Sequence, residues 1–210
     1  MPSVEDLIAG LRIIPVVTLH DAAHAAPLAD ALIEGGLPIA EITFRTAAAA
    51  DGIRVLAGRD DFCVGAGTVV STDNANAALA AGARFLVSPG VNPDVVSIAQ
   101  ERCCPVYPGI ATPTELTSVV TRFGLEVVKF FPATAIGGLP MLKALAAPFP
   151  NIRFIPTGGI NAGNVTDWLD HPKVLAVGGS WMVPARAIAE GRFAEITDLA
   201  REAVAVSGVA

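Results

Sequence analysis

The chain has 210 residues, of which 52% are hydrophobic and 16% charged, and its formal net charge is −6 at pH 7. A chain of this length can bury a sizeable core, and this composition excludes a disordered protein or a charged tail. The acidic balance argues against a nucleic-acid-binding surface, although one local site could still bind a small anion.

Cysteine content and the amino-terminal residues indicate a reduced, cytoplasmic protein. The three cysteines are Cys63, Cys103 and Cys104, an odd number without a CxxC motif, which does not indicate a disulfide framework. The adjacent pair is interpreted as packing residues at the start of a strand. The stretch MPSVEDLIAGLRIIP lacks the basic region of a signal peptide, and no apolar stretch is long enough to predict a membrane span.

Eight short apolar runs rich in Val, Ile and Phe recur along the chain, with starts 20 to 26 residues apart. Each run has about the length of a buried strand. In chain order they are IIPVVTL from Ile13, IAEITF from Ile39, CVGAGTV from Cys63, FLVSP from Phe85, PVYPGI from Pro105, VVKFFPA from Val127, RFIPTGGI from Arg153 and VLAVGGS from Val174.

Helical segments with recognisable ends separate several of these runs. TPTELTSVVTRFG predicts a helix with Thr112 as N-cap, Pro113 at the first position and Glu115 completing a capping box, and Gly124 ends it. Further helices are predicted in HDAAHAAPLADALIEGG, in STDNANAALAAGA after Ser71, in NPDVVSIAQER after Asn92, in GGLPMLKALAAPF, in NAGNVTDWL from Asn161 or Asn164, and in EITDLAREAVAV.

A strand followed by a helix, repeated eight times, predicts an α/β fold of the (β/α)8 TIM-barrel type. No linker or low-complexity break interrupts the pattern, so residues 1–210 are expected to form a single domain. The alternative is an open, doubly wound sheet, but eight units favour the closed barrel and no GxGxxG follows the first strand.

The second predicted strand places charged side chains on one face. The two-residue period of a strand puts Glu41, Thr43 and Arg45 on the face opposite Ala40 and Ile42. In a barrel of this type the chemistry lies at the carboxyl ends of the strands. An acid and an arginine are therefore predicted to face the catalytic mouth, the alternative being an interior ion pair without chemistry.

Lys129 interrupts the apolar sixth strand, where a lysine is unusual because burying an unpaired ammonium is costly. The other two lysines of the chain, Lys143 and Lys173, fall in a helix and a turn, which are ordinary surface positions. If the face that Lys129 shares with Val127 points inward, Lys129 lies across the barrel from Glu41. Desolvation favours a neutral, nucleophilic amine that can form a Schiff base with a carbonyl substrate; the alternative is a structural lysine paired with a carboxylate.

The last two predicted strands end in TGGI and GGS, at the loops that often hold a phosphate in such barrels. Glycines let backbone N–H groups approach an anion closely, and a following helix start would favour it. Turns also use glycine, so a purely structural role is the alternative. The candidate phosphate residues are Thr157, Gly158, Gly159, Gly178, Gly179 and Ser180.

A metal-dependent aldolase or epimerase on the same barrel is a competing hypothesis. His20 and His24 have the i, i+4 spacing that suits a metal, but no third ligand stands out in the sequence. A non-catalytic phosphate-binding barrel is a second alternative, and it leaves a buried Lys129 unexplained.

Together, these motifs resemble the 2-keto-3-deoxy-6-phosphogluconate aldolase family, also called the 4-hydroxy-2-oxoglutarate aldolases. The similarity covers nearly the whole chain, and the order and spacing of the motifs are more specific than any one of them. The motifs are EITFRT, GAGTV, SPG, PGIATPTE, KFFPA, PTGGI and GGSWMVP.

The resemblance implies a class I aldolase of the Entner–Doudoroff pathway that needs no metal or organic cofactor and forms a homotrimer. It implies that Lys129 forms the imine and that Glu41 is the general acid and base. Arg45 and Thr157 resemble the branch that acts on the gluconate epimer; the branch for the galactonate epimer is the alternative. The implied substrate-binding residues are Arg45 and Thr68 for the carboxylate, Pro89 and Phe131 for the pocket wall, Thr157 for the aldehyde portion, and Gly158, Gly159 and Ser180 for the phosphate.

Overall fold

A computed structural model of the chain describes residues 3–208; the four remaining residues of the predicted domain, 1–2 and 209–210, lie outside the described part. The strands are β1 (Ile13–Val17), β2 (Ile39–Thr43), β3 (Cys63–Gly67), β4 (Leu86–Val87), β5 (Val106–Tyr107), β6 (Gly109–Ile110), β7 (Val127–Phe130), β8 (Arg153–Pro156) and β9 (Val177–Gly179). The helices are α1 (Val4–Leu11), α2 (Ala25–Glu34), α3 (Ala49–Ala57), α4 (Thr72–Ala80), α5 (Pro93–Glu101), α6 (Pro113–Phe123), α7 (Gly138–Ala146), α8 (Val165–Leu169), α9 (Ala185–Ala189) and α10 (Phe193–Ser207), with a 3₁₀ turn at Ala22–His24.

Each of the eight predicted runs contains strand structure, and the fifth divides into β5 and β6 at Pro108. Proline has no backbone N–H to donate to a neighbouring strand, so the ladder is interrupted there. The Pro108 carbonyl still accepts a hydrogen bond from the Lys129 backbone N–H at 3.0 Å. The sixth predicted strand is therefore β7.

The predicted helix ends are confirmed where the capping residues are strongest. Thr112 and Glu115 form the capping box of α6, and Gly124 ends it with a left-handed φ of 64°. The side chains of Ser71 and Asn92 cap α4 and α5. The predictions did not include α1, α3 and α9.

The strands form parallel sheets. One sheet has six strands in the order β5-β4-β3-β2-β1-β9, and a second has three in the order β6-β7-β8. Two isolated parallel bridges, Phe154 to Val174 and Thr157 to Gly178, join β8 to the segment that contains β9. The result is an α/β fold with a curled parallel sheet, in which all carboxyl ends of the strands lie at one edge. No helix within residues 3–208 is both long and apolar enough to cross a membrane.

Two apolar clusters lie on opposite faces of the sheet, and the two-residue period of each strand assigns side chains to them. On β1, Ile13 and Val17 belong to the larger cluster, which packs on the helices, whereas Ile14 belongs to the smaller one. The smaller cluster lies among the amino-terminal parts of the strands, and α1 contributes Val4 and Ile8 to it. The concave interior is thus filled at its amino end.

Candidate active site

A cavity of about 300 Å³ lies at the carboxyl ends of the strands. All ten residues that the family resemblance implies as catalytic or substrate-binding line it, although they come from six different strands or the loops that follow them. They are Glu41, Arg45, Thr68, Pro89, Lys129, Phe131, Thr157, Gly158, Gly159 and Ser180.

Two charged side chains are buried in the cavity, Lys129 and Glu41, which are 5% and 3% exposed. Lys129 Nζ donates a hydrogen bond to Glu41 Oε1 at 3.4 Å. Nζ also lies 5.2 Å from the ring centroid of Phe131, within the range of a cation–π contact. A proton on the lysine amine therefore has a carboxylate acceptor within reach, on a floor that is largely shielded from water.

A glycine on the neighbouring strand makes room for the Glu41 carboxylate. Gly67 pairs with Thr43 in the parallel register of β2 and β3. A Cβ atom at Gly67 would collide with Glu41 Oε1 and Cδ. The small residue at the end of β3 thus permits the side-chain position that brings Glu41 to Lys129.

Arg45 lies at the exposed rim, in the turn directly after β2. Its Nε donates a hydrogen bond to the Thr43 hydroxyl at 3.1 Å, and that hydroxyl donates to the Val17 carbonyl at 2.8 Å. The predicted common face of Glu41, Thr43 and Arg45 is confirmed, because all three line the cavity.

Thr68 follows β3 with a φ of 56°, in the left-handed region. This conformation is a genuine outlier for a β-branched residue, and such strain costs roughly 1–3 kcal/mol. Thr68 lines the cavity in this conformation. Local strain of this kind often accompanies a functional site.

Pro89 reaches the cavity wall because Gly109 lacks a side chain. A Cβ at Gly109 would collide with the Pro89 carbonyl, so the loop after β4 can approach β6 closely. The Ser88 hydroxyl fixes the same loop by donating to the Gly90 carbonyl at 2.7 Å.

The glycine loops after β8 and β9 form another part of the rim. Gly158 and Gly159 have φ values of 102° and 77°, which favour glycine. The backbone N–H groups of Gly159 and Ser180 have no hydrogen-bond acceptor among residues 3–208. Both residues line the cavity, so their donors are available to an anion at its mouth.

The expected contribution of a helix start at Asn161 to this rim is wrong. Residues 162–164 form a turn, and α8 begins at Val165 and has only five residues; its N-cap is Asn164, the alternative start predicted from the sequence. The Asn161 backbone N–H donates to the Asn164 side chain at 2.9 Å, and the Asn164 amide donates to the Gly159 carbonyl at 3.0 Å. An anion at this rim would therefore be held by the loop amides and hydroxyls.

Thr157 connects the floor of the cavity to the glycine rim. It is 7% exposed, and its hydroxyl is close enough to Gly178 that a Cβ there would collide with it. Gly178 is thus required for the close approach of β8 and β9.

The two histidines of the metal hypothesis do not line the cavity. The ring of His24 makes an edge contact with Phe193 at 6.0 Å, and His20 is exposed. No group of three or more His, Cys, Asp or Glu side chains that could hold a metal occurs within residues 3–208.

The two adjacent cysteines, Cys103 and Cys104, differ in their burial. Cys104 is half-buried against the larger cluster, and burial raises the pKa of its thiol to about 11. Cys103 is exposed, so its interpretation as a packing residue is wrong. It follows the end of α5 and has a φ of 51°, in the left-handed region.

Two residues that line the cavity, Val16 and Ile160, were not predicted from the sequence. Thr43, Gly178 and Gly179 also line it, and the parity of β2 and the GGS motif had placed them at the site. Val16 had no signal, because every residue of β1 is buried and apolar residues occupy both faces.

Comparison with known proteins gives a consistent family match. The family model described as "KDPG and KHG aldolase" matches residues 4–199. A 2-dehydro-3-deoxy-phosphogluconate aldolase of Treponema pallidum is 48% identical over 200 residues, which cover 95% of each chain. A KHG/KDPG aldolase of Escherichia coli strain K12 is 43% identical over 203 residues, covering 96% of this chain and 95% of the relative.

A solved structure shows the same fold. The KDPG aldolase of Legionella pneumophila, with pyruvate captured at low pH as a covalent carbinolamine intermediate, matches with a TM-score of 0.90 and 40% identity. The match covers 94% of this chain and 96% of that one.

Proposed function

This chain belongs to the KDPG and KHG aldolase family, and from that premise we propose that it cleaves 2-dehydro-3-deoxy-6-phosphogluconate to pyruvate and glyceraldehyde 3-phosphate. The observation that supports the proposal most directly is the buried Lys129 amine, 3.4 Å from the Glu41 carboxylate in the floor of the cavity. A primary amine beside a proton acceptor is what a class I aldolase needs.

Lys129 acts as the nucleophile in the first half of the reaction. Its ammonium passes a proton to Glu41 Oε1, and the neutral Nζ attacks the C2 carbonyl of the substrate. The carbinolamine that forms loses water and becomes a protonated imine, which withdraws electrons from the C3–C4 bond. Glu41 supplies the proton that leaves with the water.

Glu41 then acts as the base in the cleavage step. The carboxylate, directly or through one water, removes the proton from the C4 hydroxyl, and the C3–C4 bond breaks. The aldehyde, glyceraldehyde 3-phosphate, leaves. The electron pair of the broken C3–C4 bond stays with the pyruvate fragment, which is now an enamine bound to Lys129. The enamine takes a proton at C3, and water hydrolyses the imine to release pyruvate. General acid–base catalysis of this type contributes about 10²–10⁴-fold.

The two sides of the rim orient the substrate. Arg45 and Thr68 bind the carboxylate beside C2, Pro89 and Phe131 form the wall, and Thr157 contacts the aldehyde portion. Gly158, Gly159 and Ser180 bind the phosphate. This placement is supported by the lining of the cavity, to which the turn after β2 contributes Arg45 and the loops after β8 and β9 contribute the glycines and Ser180. Binding far from the breaking bond lowers the barrier by orientation.

The gluconate epimer is the proposed sugar acid, because Arg45 and Thr157 match the residues that the resemblance associates with it. Cleavage of 4-hydroxy-2-oxoglutarate to pyruvate and glyoxylate is proposed as a second activity of the same site. It uses the same imine, since both substrates are keto acids that carry a hydroxyl at C4. The second substrate makes no use of the phosphate side of the rim.

For the architecture, a closed (β/α)8 barrel and a single domain over residues 1–210 are proposed. Closure is supported by the short segment around Pro108, where β5 pairs with β4 and β6 pairs with β7, and by the bridge from Thr157 to Gly178. A homotrimer follows from the family resemblance and would have three times the 21.5 kDa mass of the chain in solution. A cytoplasmic location stays a prediction from the cysteine content.

Borohydride trapping tests the proposed function. The protein is incubated with pyruvate, reduced with borohydride, digested and mapped by mass spectrometry. The expected result is one reduced pyruvate adduct on Lys129 and none on Lys143 or Lys173, which serve as internal controls. Cleavage of the phosphorylated substrate is measured in parallel with a coupled assay for pyruvate. An active protein without an adduct on Lys129, or one whose activity is lost to a chelator and restored by a divalent metal, contradicts the proposal.

A further inference from the structure

Thr43 is a buried polar residue of the cavity to which the proposed reaction assigns no step. It is 1% exposed and lies at the end of β2, between Glu41 and Arg45 on the inward face. Its hydroxyl has three polar neighbours: the Val17 carbonyl at 2.8 Å, Arg45 Nε at 3.1 Å and the Thr18 hydroxyl at 3.4 Å.

The single proton of this hydroxyl has one strong acceptor. A carbonyl oxygen can only accept, so Thr43 Oγ1 donates to Val17 and keeps its lone pairs for other donors. Arg45 Nε–H can only donate, and it points at that oxygen. Both hydrogen bonds are therefore satisfied at once, and they fix the orientation of the hydroxyl.

Arg45 is otherwise little constrained. Its side chain is on the exposed rim, and no carboxylate within residues 3–208 forms an ion pair with it. The guanidinium is a planar fork of five N–H donors, and Nε takes up one of them. A bond at Nε restricts the plane of the fork and leaves the terminal nitrogens for a carboxylate ligand, which matches the fork with two parallel hydrogen bonds.

We infer that Thr43 is a positioning residue that connects β1 to Arg45 and holds the guanidinium ready for the carboxylate of the keto acid. The inference rests on the proposed role of Arg45 as the carboxylate-binding residue. A preorganised arginine loses less side-chain freedom when the substrate binds, so Thr43 contributes to affinity without touching the substrate.

The test uses Thr43→Val, which keeps the shape and removes the hydroxyl, with Thr43→Ser as the conservative rescue. Thr18→Val is the matched control, because it makes the same change at the neighbouring hydroxyl. Thr43→Val is expected to raise the KM for the phosphorylated substrate about tenfold, because one hydrogen bond to a charged group is lost. The kcat is expected to stay within about threefold of wild type. Thr43→Ser and Thr18→Val are expected to stay within about twofold of wild type in both constants.

A structural role would give a different pattern. If Thr43 only fastens β2 to β1, Thr43→Val lowers the melting temperature and leaves KM within twofold of wild type, and the inference is overturned. Failure of Thr43→Ser to restore KM overturns it as well, since serine keeps the hydroxyl.

A double-mutant cycle with Arg45→Ala separates action through Arg45 from a direct effect. If Thr43 acts through Arg45, adding Thr43→Val to Arg45→Ala changes KM by less than about twofold. If the KM of the double variant instead rises by the product of the two single fold-changes, the inference is overturned.

Pyruvate trapping on Lys129 in the wild-type protein distinguishes a failure of the proposed function from a failure of the role proposed for Thr43. Absence of the adduct contradicts the proposed function itself. A normal adduct together with an unchanged KM in Thr43→Val contradicts the role of Thr43 alone.

Discussion

The two ends of the concave interior are built from the same strands and differ in what they hold. At the amino end, inward residues such as Ile14, Ile39 and Val127 form a closed apolar cluster that α1 covers. Two residues further along the same strands, Val16, Glu41 and Lys129 face an open cavity. One step of the strand period therefore separates a region that stabilises the fold from one that can perform chemistry.

Polar groups behave differently at the two ends. At the carboxyl end the buried Lys129 and Glu41 contact each other, whereas at the amino end the Tyr107 hydroxyl is buried without a hydrogen-bond partner among residues 3–208. Glu5 of α1 and Arg153 at the start of β8 form an ion pair of 3.1 Å near the amino end, where both are partly exposed. We therefore expect substitutions at the carboxyl end to change activity and substitutions at the amino end to change stability.

The largest effect is expected for Lys129→Met. Methionine fills the space without an amine, so pyruvate trapping and cleavage should both fall to the uncatalysed background. The measurements are steady-state turnover and borohydride labelling. The control, Lys143→Met, changes a lysine outside the cavity and is expected to leave turnover within about twofold. Cleavage activity in Lys129→Met would contradict the assignment of the chemistry to the carboxyl end of the interior.

Glu41→Gln should be the next most severe. The amide keeps the shape of the side chain and cannot accept the proton, so kcat should fall about 10²–10⁴-fold. Steady-state kinetics measure the loss, and Glu126→Gln, at an exposed position just before β7, is the matched control. A kcat within tenfold of wild type would contradict the assignment of Glu41 as the general base.

Gly67→Ala tests whether the room beside Glu41 matters. The added methyl group collides with the carboxylate and displaces it from Lys129, and a misplacement of about 1 Å can cost about 10²-fold in rate. Gly10→Ala in α1 is the control, because nothing lies within 4 Å of its Cβ. It should leave kcat unchanged and stabilise the protein by about 0.5–1 kcal/mol, as alanine favours a helix.

Tyr107→Phe tests the amino end. Burying a hydroxyl without a hydrogen-bond partner costs its desolvation free energy. Phenylalanine has no hydroxyl to desolvate, so the substitution should raise the free energy of unfolding by about 1 kcal/mol. Urea denaturation measures the change, and kcat should remain within about twofold. A large loss of activity would show that the amino end is coupled to the chemistry.

The smallest expected effect is a pH dependence of the difference in free energy of unfolding between wild type and Tyr107→Phe. Burial raises the pKa of the Tyr107 phenol well above its usual range, so the folded state holds its proton when the unfolded state, with a pKa near 10, releases it. Wild type should lose stability as the pH rises above about 10, and Tyr107→Phe should lose less. Unfolding curves at pH 9 and pH 11 check the prediction, and parallel losses in both proteins would contradict it.

The sequence contained most of the information about local structure. Apolar runs at regular spacing located all eight predicted strands, and Thr112, Ser71 and Asn92 located helix starts, because caps and strand periods depend on neighbouring residues. The period of two also identified the inward face of β2. It could not show that Pro108 divides a strand, and it left open whether α8 starts at Asn161 or at Asn164, since both depend on local hydrogen-bond geometry.

Only the tertiary structure decided which side chains meet. Lys129 and Glu41 are 88 positions apart, and their 3.4 Å contact requires the strands between them to follow the curve of the sheet. It also requires Gly67 to leave space for the Glu41 carboxylate. The sequence by itself determined most of the residues at the site's edge of the strands, but not Val16 of β1. Packing decided their distances, because these depend on the close approach of segments that are distant in the chain.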